Sequence, residues 1–178
     1  MKTLVLATLL AAPMAVRAQS APPPTDLERR LRLLEDRAAL HALVDTFSIL
    51  ADQKDVAKQV LLFTEDATVE SRVGDAPGTT LRGRGQIGAA FAPFLATFST
   101  VYHINGQHAV TIAGDRATGT LYTLVVLIGP QNGRTVRRTM GVTYADEYVR
   151  RGGGWLIAKR TSHFTWTDQA DVPGPPSR

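Results

Sequence analysis

The feature that most constrains the fold is a change in hydrophobic period near residue 100. Beyond it, four long runs alternate between apolar and polar residues, as β-strands do when one face is buried. These runs span 100–113, 117–128, 135–151 and 155–166. The turns between them, at 114–116, 130–133 and 152–154, are short and contain glycine, which is typical of hairpins. We therefore predict a meander of four antiparallel strands.

Helical patterns come before this sheet. Thr25 and Glu28 have the spacing of a capping box, and apolar residues then recur every three to five positions, which predicts a helix over 26–50. Four further segments are predicted: a short helix over 56–63, a strand at 67–73, a loop at 74–78 and a helix over 86–98. Helices followed by long antiparallel strands predict an α+β fold. We expect a cone-shaped barrel, in which a curved, mostly antiparallel sheet packs against the N-terminal helices around an apolar cavity.

The first 18 residues are predicted to be an export signal. A charged start at Lys2, an apolar run and small residues before Gln19 fit a cleavable signal peptide; an uncleaved N-terminal helix is the alternative. The run is too short for a membrane span, which needs about 20 apolar residues. A proline-rich linker at 19–25 and a flexible tail at 168–178 would flank a folded domain at 26–167. We expect a periplasmic or secreted protein with no membrane span.

Composition excludes several classes of function. The chain has no cysteine, which removes disulfides, thiolate metal sites and cysteine nucleophiles. Without residues 1–18, which contain two basic residues and no acid, the formal charge of +4 falls to +2, too small a surplus to indicate a nucleic-acid partner. Basic residues on the last two strands could bind an anionic partner, but charges that protect sheet edges explain most of them. The basic residues on these two strands are Arg134, Arg137, Arg138, Arg150, Arg151, Lys159 and Arg160.

Motifs for nucleophilic, phosphate-binding and zinc chemistry are missing. The glycines at 83, 85 and 88 match a dinucleotide-binding motif by letter, but no βαβ unit surrounds them, so we interpret them as a loop that opens a helix. Of the four histidines, His41 is interpreted as a partly buried packing residue of the first helix. His103 and His108 lie five residues apart on one strand, which puts them on opposite faces unless a bulge intervenes. No metal site is predicted.

Asp52 is an unusual carboxylate because it falls just past the last turn of the first predicted helix. The helix macrodipole disfavours negative charge there. Asp52 could simply form a turn between two helices, since aspartate is common in turns. The residue types alone leave both a structural and a catalytic role open.

Five motifs give the chain a resemblance to a known family, from about Leu27 to Trp166. They are LEDRAAL at 34–40, LADQKD at 50–55, FTEDA at 63–67, YHING at 102–106 and DEYVRRGGGW at 146–155. In this order and at these spacings the chain resembles the SnoaL-like branch of the nuclear transport factor 2-like superfamily. Scytalone dehydratase and hexachlorocyclohexane dehydrochlorinase are the members it looks like.

This resemblance implies a catalytic dyad of Asp52 and His103, with Arg160 beside it. It also implies an apolar pocket, no cofactor, and frequent dimers or trimers. Two departures stand out, since Phe47 and Ala51 replace the lysine of the dehydrochlorinase and the tyrosine of the dehydratase. The dehydratase also has a second catalytic histidine on the third long strand, and residues 138–142 contain none. Neither specific reaction is therefore transferred.

Two functional hypotheses follow. In the first, the protein is a cofactor-free lyase or isomerase in which His103 removes a proton from a small, largely apolar substrate. Asp52 then orients His103, Arg160 supplies electrostatic support, and three further polar side chains are candidates to orient the substrate. They are Tyr122, Thr139 and Tyr144. In the second hypothesis, the pocket only binds a small ligand or supports assembly, because the auxiliary polar groups are missing.

Overall fold

The computed structural model describes residues 24–74 and 78–172. The predicted signal peptide, most of the linker, the centre of the loop at 74–78 and the end of the tail lie outside these ranges. The helices are α1 (Asp26–Asp52), α2 (Val56–Gln59), a 3-10 turn (Val60–Leu62) and α3 (Gly83–Ala96). The strands are β1 (Phe63–Val73), β2 (Thr79–Arg82), β3 (Thr100–Ala113), β4 (Arg116–Gln131), β5 (Arg134–Arg151) and β6 (Gly154–Asp171).

The strands form one six-stranded, curved sheet in the order β2-β1-β6-β5-β4-β3. Strands β3 to β6 are the predicted antiparallel meander, and the α+β cone is confirmed, although the sheet does not close into a full barrel. β1 pairs with β6 in parallel, and β2 pairs with β1. The short strand β2 was not predicted, because four residues carry too little periodicity to be recognised.

The interpretation of the basic residues on β5 and β6 as edge charges is wrong. Both strands lie inside the sheet and are paired on both sides. Their charges are instead mostly neutralised by acidic neighbours, such as Asp171 for Arg134 and Glu147 for Lys159. The positions of hairpin turns predict strand pairs, but they do not tell which strand a distant segment such as β1 will join.

Helix α1 begins as predicted, because Thr25 and Glu28 form both hydrogen bonds of the capping box. It runs two residues further than predicted and ends at Asp52. Its buried face starts only at Asp36, whose carboxylate accepts hydrogen bonds from Arg150 and Trp155 on the sheet. The leucines of the first turns, which continue the apolar stripe, are exposed. Only the second part of α1 therefore packs on the sheet.

Strand β6 continues to Asp171 and pairs with β5 along its whole length. The predicted domain end at 167 is thus four residues short of the end of the strand. Arg134 of β5 forms an ion pair with Asp171, and the backbone N–H of Val172 donates to the carbonyl of Thr135. Residues 168–171 are mostly polar and lie at the exposed end of β6. The alternation of apolar and polar residues that predicts a strand is therefore missing there.

The register of the sheet sets which side chains face the helices. A bulge between Asn105 and His108 inserts one residue into β3 relative to β4, and this reverses the alternation beyond it. His103 and His108 therefore both face α1, rather than opposite sides of the sheet. Within the described residues, no helix is long and apolar enough to cross a membrane.

Candidate functional site

A large apolar cavity lies between the helices and the concave face of the sheet. Its volume is about 660 Å³, within the usual range for small-molecule sites. Apolar side chains from α1, α3 and most strands form the greater part of its wall. The polar and charged residues on this wall are Gln59, Ser71, Thr79, His103, Arg138, Tyr144, Arg160, Ser162, Thr167 and Gln169.

Asp52 and His103 are in direct contact at one side of the cavity. The Asp52 Oδ1 atom lies 2.6 Å from His103 Nδ1. The backbone N–H of His103 also donates to Asp52 Oδ2, at 3.2 Å. The His103 ring is nearly buried and lines the cavity, whereas Asp52 lies behind it. With Nδ1 held by the carboxylate, Nε2 is the ring nitrogen left to act on a ligand.

Local structure explains why Asp52 is available for this contact. It is the last residue of α1, and Lys54 just beyond it adopts a positive φ of 58°. The chain turns there toward α2, so the Asp52 carboxylate is directed to the start of β3 rather than to a following helical turn. The unfavourable interaction with the helix C-terminus is offset by the two donors from His103.

Asn105 fixes α1 to the sheet next to this pair. Its side-chain oxygen accepts hydrogen bonds from Ser48 at 3.0 Å and Thr123 at 3.1 Å. Its side-chain nitrogen donates to the carbonyl of Val44 and to the carboxylate of Asp45. Asn105 was not singled out in the sequence, although it lies within the motif at 102–106. It holds α1 and β3 at the spacing that the Asp52–His103 contact requires.

Arg160 lines the deep part of the cavity and is almost completely buried, with 1% of its side chain exposed. It forms a bidentate ion pair with Asp146, at 2.8 and 2.6 Å. Its guanidinium also lies against the rings of Phe47 and Tyr144, at 4.2 and 4.3 Å from their centroids. Burial alone would lower the pKa of Arg160, but the charge and hydrogen bonds of Asp146 outweigh it and raise the pKa.

One nitrogen of Arg160, Nη1, is buried and has no hydrogen-bond partner among the described residues. A buried donor without a partner is costly, and a ligand group could bind Nη1 only if the side chains that cover it move. Tyr144 is buried beside this group and also lines the cavity. Burial raises the pKa of Tyr144, which keeps its phenol protonated.

Two of the other predicted pocket residues lie elsewhere. Tyr122 is 55% exposed and does not line the cavity. Thr139 also faces away from it, because the neighbouring residues Arg138 and Met140 are the ones on the wall. The alternation of β4 and β5 is the physical reason. The residue types made them plausible, but the face on which each lies was not known from the sequence.

The interpretation of His41 as a partly buried packing residue is also wrong, because its side chain is 55% exposed. Its ring stacks on His108, with centroids 5.8 Å apart. His108 Nε2 in turn lies 3.2 Å from the hydroxyl of Tyr148, which donates to Asp146. A polar chain thus runs from the surface of α1 to the buried ion pair.

The two departures from the catalytic relatives are part of the cavity wall. Phe47 and Ala51 are buried and line the cavity. Met140 lines it on the strand where the dehydratase has its second histidine. No set of three or more His, Asp or Glu side chains that could hold a metal ion occurs in residues 24–74 and 78–172.

Comparison with known proteins gives a family and a fold. Residues 32–161 match the family described as the SnoaL-like domain. No curated protein matches the chain. The Kfla4162 protein from Kribbella flavida is a similar solved structure, with 25% identity and a TM-score of 0.69 over 76% of this chain and 95% of that one.

Two further solved structures carry the names of enzymes. A protein from Novosphingobium aromaticivorans, described provisionally as a scytalone dehydratase, is 20% identical, with a TM-score of 0.68 over 84% of this chain and 98% of its own. Hexachlorocyclohexane dehydrochlorinase LinA-type3 from Novosphingobium barchaimii is 18% identical, with a TM-score of 0.66 over 82% and 96%. At these identities the two likenesses show the fold alone.

Proposed function

The chain belongs to the SnoaL-like domain family, and on that premise we propose that it is a cofactor-free lyase or isomerase. Its substrate is a small, largely apolar molecule that occupies the cavity. His103 is the general base, Asp52 orients it, and Arg160 stabilises negative charge that develops on the substrate. The observation that carries the proposal is the 2.6 Å contact between Asp52 and His103 on the wall of an apolar cavity.

The proposed chemistry begins with removal of a proton from carbon. His103 Nε2 accepts the proton, and the electron pair of the C–H bond moves toward an adjacent carbonyl or expels a leaving group from the neighbouring carbon. The imidazolium that forms is stabilised by the Asp52 carboxylate. In an isomerisation His103 returns the proton to another carbon, whereas in an elimination it releases the proton to solvent. Such assistance by a base contributes roughly 10²–10⁴-fold.

Arg160 and Tyr144 are suited to stabilise the negative charge that develops on the substrate after the proton is removed. The unpartnered Nη1 of Arg160 and the protonated hydroxyl of Tyr144 belong to side chains that line the cavity. Donors that are fixed before the reaction stabilise an oxyanion or a departing anion without reorganisation. Because Asp146 already holds two nitrogens of Arg160, the guanidinium is locked in place for this role.

The experiment is an activity screen of the purified protein with cyclic ketones and halogenated substrates. His103→Ala should abolish turnover while the protein still folds, which a cooperative unfolding transition would show. His163→Ala is the matched control, because His163 lies on β6 outside the cavity wall. Turnover that survives in His103→Ala would exclude His103 as the base.

A second candidate function is non-catalytic binding of a small ligand. The observation in its favour is that Phe47 and Ala51 are apolar where the catalytic relatives carry polar groups. A ligand that raises the unfolding temperature but is recovered unchanged would support this alternative. Product formation that depends on His103 would exclude it.

We also propose that the protein is exported and forms a homo-oligomer, a dimer or trimer. The export proposal predicts that the mature protein begins at Gln19, which N-terminal sequencing would test. Apolar side chains exposed on β3, β4 and β6 support a self-association surface. They are Tyr102, Ile104, Tyr122 and Trp166. Light scattering should then give a mass of two or three chains, and the mass of a single chain would contradict this.

A further inference from the structure

The cavity wall carries positive charge but no carboxylate. Its ionisable side chains are His103, Arg138, Tyr144 and Arg160. The charge of Arg160 is neutralised by Asp146 behind it. Arg138, in contrast, makes no ion pair and no side-chain hydrogen bond within the part of the chain that the structure describes. The wall therefore presents one uncompensated positive charge to a ligand.

Arg138 lies on the same cavity wall as the proposed base, two strands away from it. Val125 of β4 pairs with both His103 and Met140, so these three residues form one row across the sheet. Arg138 faces the cavity two residues from Met140, and it pairs with Leu127 and Gln169. Two residues along a strand correspond to about 7 Å. Arg138 on β5 is thus one row along the sheet and two strands across from His103 on β3, with β4 between them.

The neighbours of Arg138 do not satisfy its guanidinium. Leu127 and Met140 beside it are apolar, and the nearest polar side chains on the wall, Thr167 and Gln169, carry no charge. Arg138 is partly buried, and an arginine in such a position packs its aliphatic stem on apolar side chains while its guanidinium stays free to bind an acceptor. A guanidinium presents parallel N–H donors that match the two oxygens of a carboxylate.

We propose that the cavity selects an amphiphilic acid, whose apolar body lies among the phenylalanines of α1 and α3 and whose carboxylate binds Arg138. This inference rests on the proposed function and narrows its substrate class, because it places an anionic head group one row and two strands from His103. The reacting C–H then lies in the apolar body near His103, and the carboxylate takes no part in bond breaking. Arg138 is a specificity-determining residue for the substrate.

Binding of a matched pair of probes tests this inference without any turnover. 2-Naphthoate and 2-naphthamide have the same apolar body and differ in the charge of the head group. Their affinities for the full chain are measured by isothermal titration calorimetry at low salt. The wild type should bind the acid about tenfold or more tightly than the amide, because hydrogen bonds to charged groups are the stronger ones.

Two variants assign this preference to a residue. Arg138→Gln should bind both probes equally well, and its unfolding transition should match that of the wild type. Arg137→Gln removes the same charge one residue away, but Arg137 is exposed and does not line the cavity, so it should keep the preference. A wild type that does not prefer the acid overturns the proposal. A preference that survives in Arg138→Gln, or is lost equally in Arg137→Gln, also overturns it.

A third variant separates this proposal from the proposed function. His103→Ala should retain the tenfold preference for the acid, because His103 does not bind the head group. A preference for the acid together with turnover that is insensitive to His103→Ala would refute the catalytic proposal alone. Turnover that depends on His103, with equal binding of acid and amide, would refute the role of Arg138 alone.

Discussion

At the scale of single residues, the Asp52–His103 contact differs from an ordinary turn hydrogen bond in the atoms it joins. A turn aspartate bonds to backbone groups close in sequence, whereas Asp52 bonds to both the ring and the backbone of a residue 51 positions away. The carboxylate can thus fix the orientation of the ring and the nitrogen that carries the proton. It does so from behind, without occupying the cavity.

This geometry predicts the effect of Asp52→Asn. The variant keeps the shape of the side chain but loses the charge that stabilises the imidazolium, so kcat should fall by about 10²-fold or more. Affinity for a cavity ligand should not change, because Asp52 is not on the wall. Steady-state kinetics and calorimetric binding measure the two quantities.

A double variant provides the control for this prediction. If the two residues act as one unit, Asp52→Asn should lower very little whatever residual rate above background remains in His103→Ala. Fully additive losses would show that Asp52 acts independently of His103, which would contradict its role as the orienting residue.

The buried pair of Asp146 and Arg160 allows a second prediction at this scale. Asp146→Asn leaves an uncompensated charge in the interior and should reduce the free energy of unfolding by about 3–5 kcal/mol. Asp171→Asn is the matched control, since it removes a carboxylate from an exposed pair with Arg134, and it should cost less than about 1 kcal/mol. Urea denaturation measures both, and equal small effects would contradict the structural role of Asp146.

At the scale of the elements, hydrogen bonds from one side chain join α1 to two strands. Asn105→Ala should reduce the free energy of unfolding by about 2 kcal/mol, because the nearly buried hydroxyls of Ser48 and Thr123 lose their acceptor. Gln107→Ala lies in the same bulge but is exposed, so it should have little effect. Chemical denaturation compares them, and equal stability of the two variants would show that α1 is held by packing alone.

The elements themselves were largely predictable, and the reason is physical. The capping box of α1 and the alternation in β3 to β6 are local signals that arise within a few residues. The pairing of β1 with β6 depends on segments about 90 residues apart, and no local pattern encodes it. The inward direction of Arg160 and Arg138 also depends on strand register and bulges, which explains why Arg138 was grouped with surface charges.

The same limit applies to the candidate site. Asp52 and His103 were identified through the family resemblance. Their residue types alone are as typical of a turn aspartate and an ordinary strand histidine as of a catalytic pair. Their contact could not be predicted without the position of β3 beside the end of α1. Tyr122 and Thr139 were chosen for their hydroxyl groups, but both face away from the cavity. The sequence alone does not show on which face of the sheet each side chain lies. Residue type suggests chemistry, but the fold decides which side chains meet.

At the scale of the whole molecule, one polar chain connects the surface to the interior. It passes from His41 on α1 to His108 on β3, to Tyr148 and Asp146 on β5, and ends at Arg160 on β6. Burial raises the pKa of Tyr148, and the nearby charge of Asp146 adds to this effect. Burial lowers the pKa of His108, and the adjacent His41 lowers it further, against the opposing effects of Asp146 and Asp45.

The lowered pKa of His108 makes stability depend on pH in a defined direction. The unfolded chain, in which the histidine has its ordinary pKa near 6.5, binds the proton more readily than the folded chain. The free energy of unfolding should therefore be highest above that value and fall as the pH drops from 7.5 to 5.5. Urea denaturation at both pH values measures the loss.

The variants His108→Gln and His163→Gln determine whether His108 is responsible. His108→Gln removes the group that resists protonation, so its loss of stability between pH 7.5 and 5.5 should be smaller than that of the wild type. His163→Gln is the matched control, because His163 lies outside the cavity wall and makes no hydrogen bond to this chain of residues. It should keep the wild-type pH dependence. An identical loss in wild type and His108→Gln would place the acid sensitivity elsewhere.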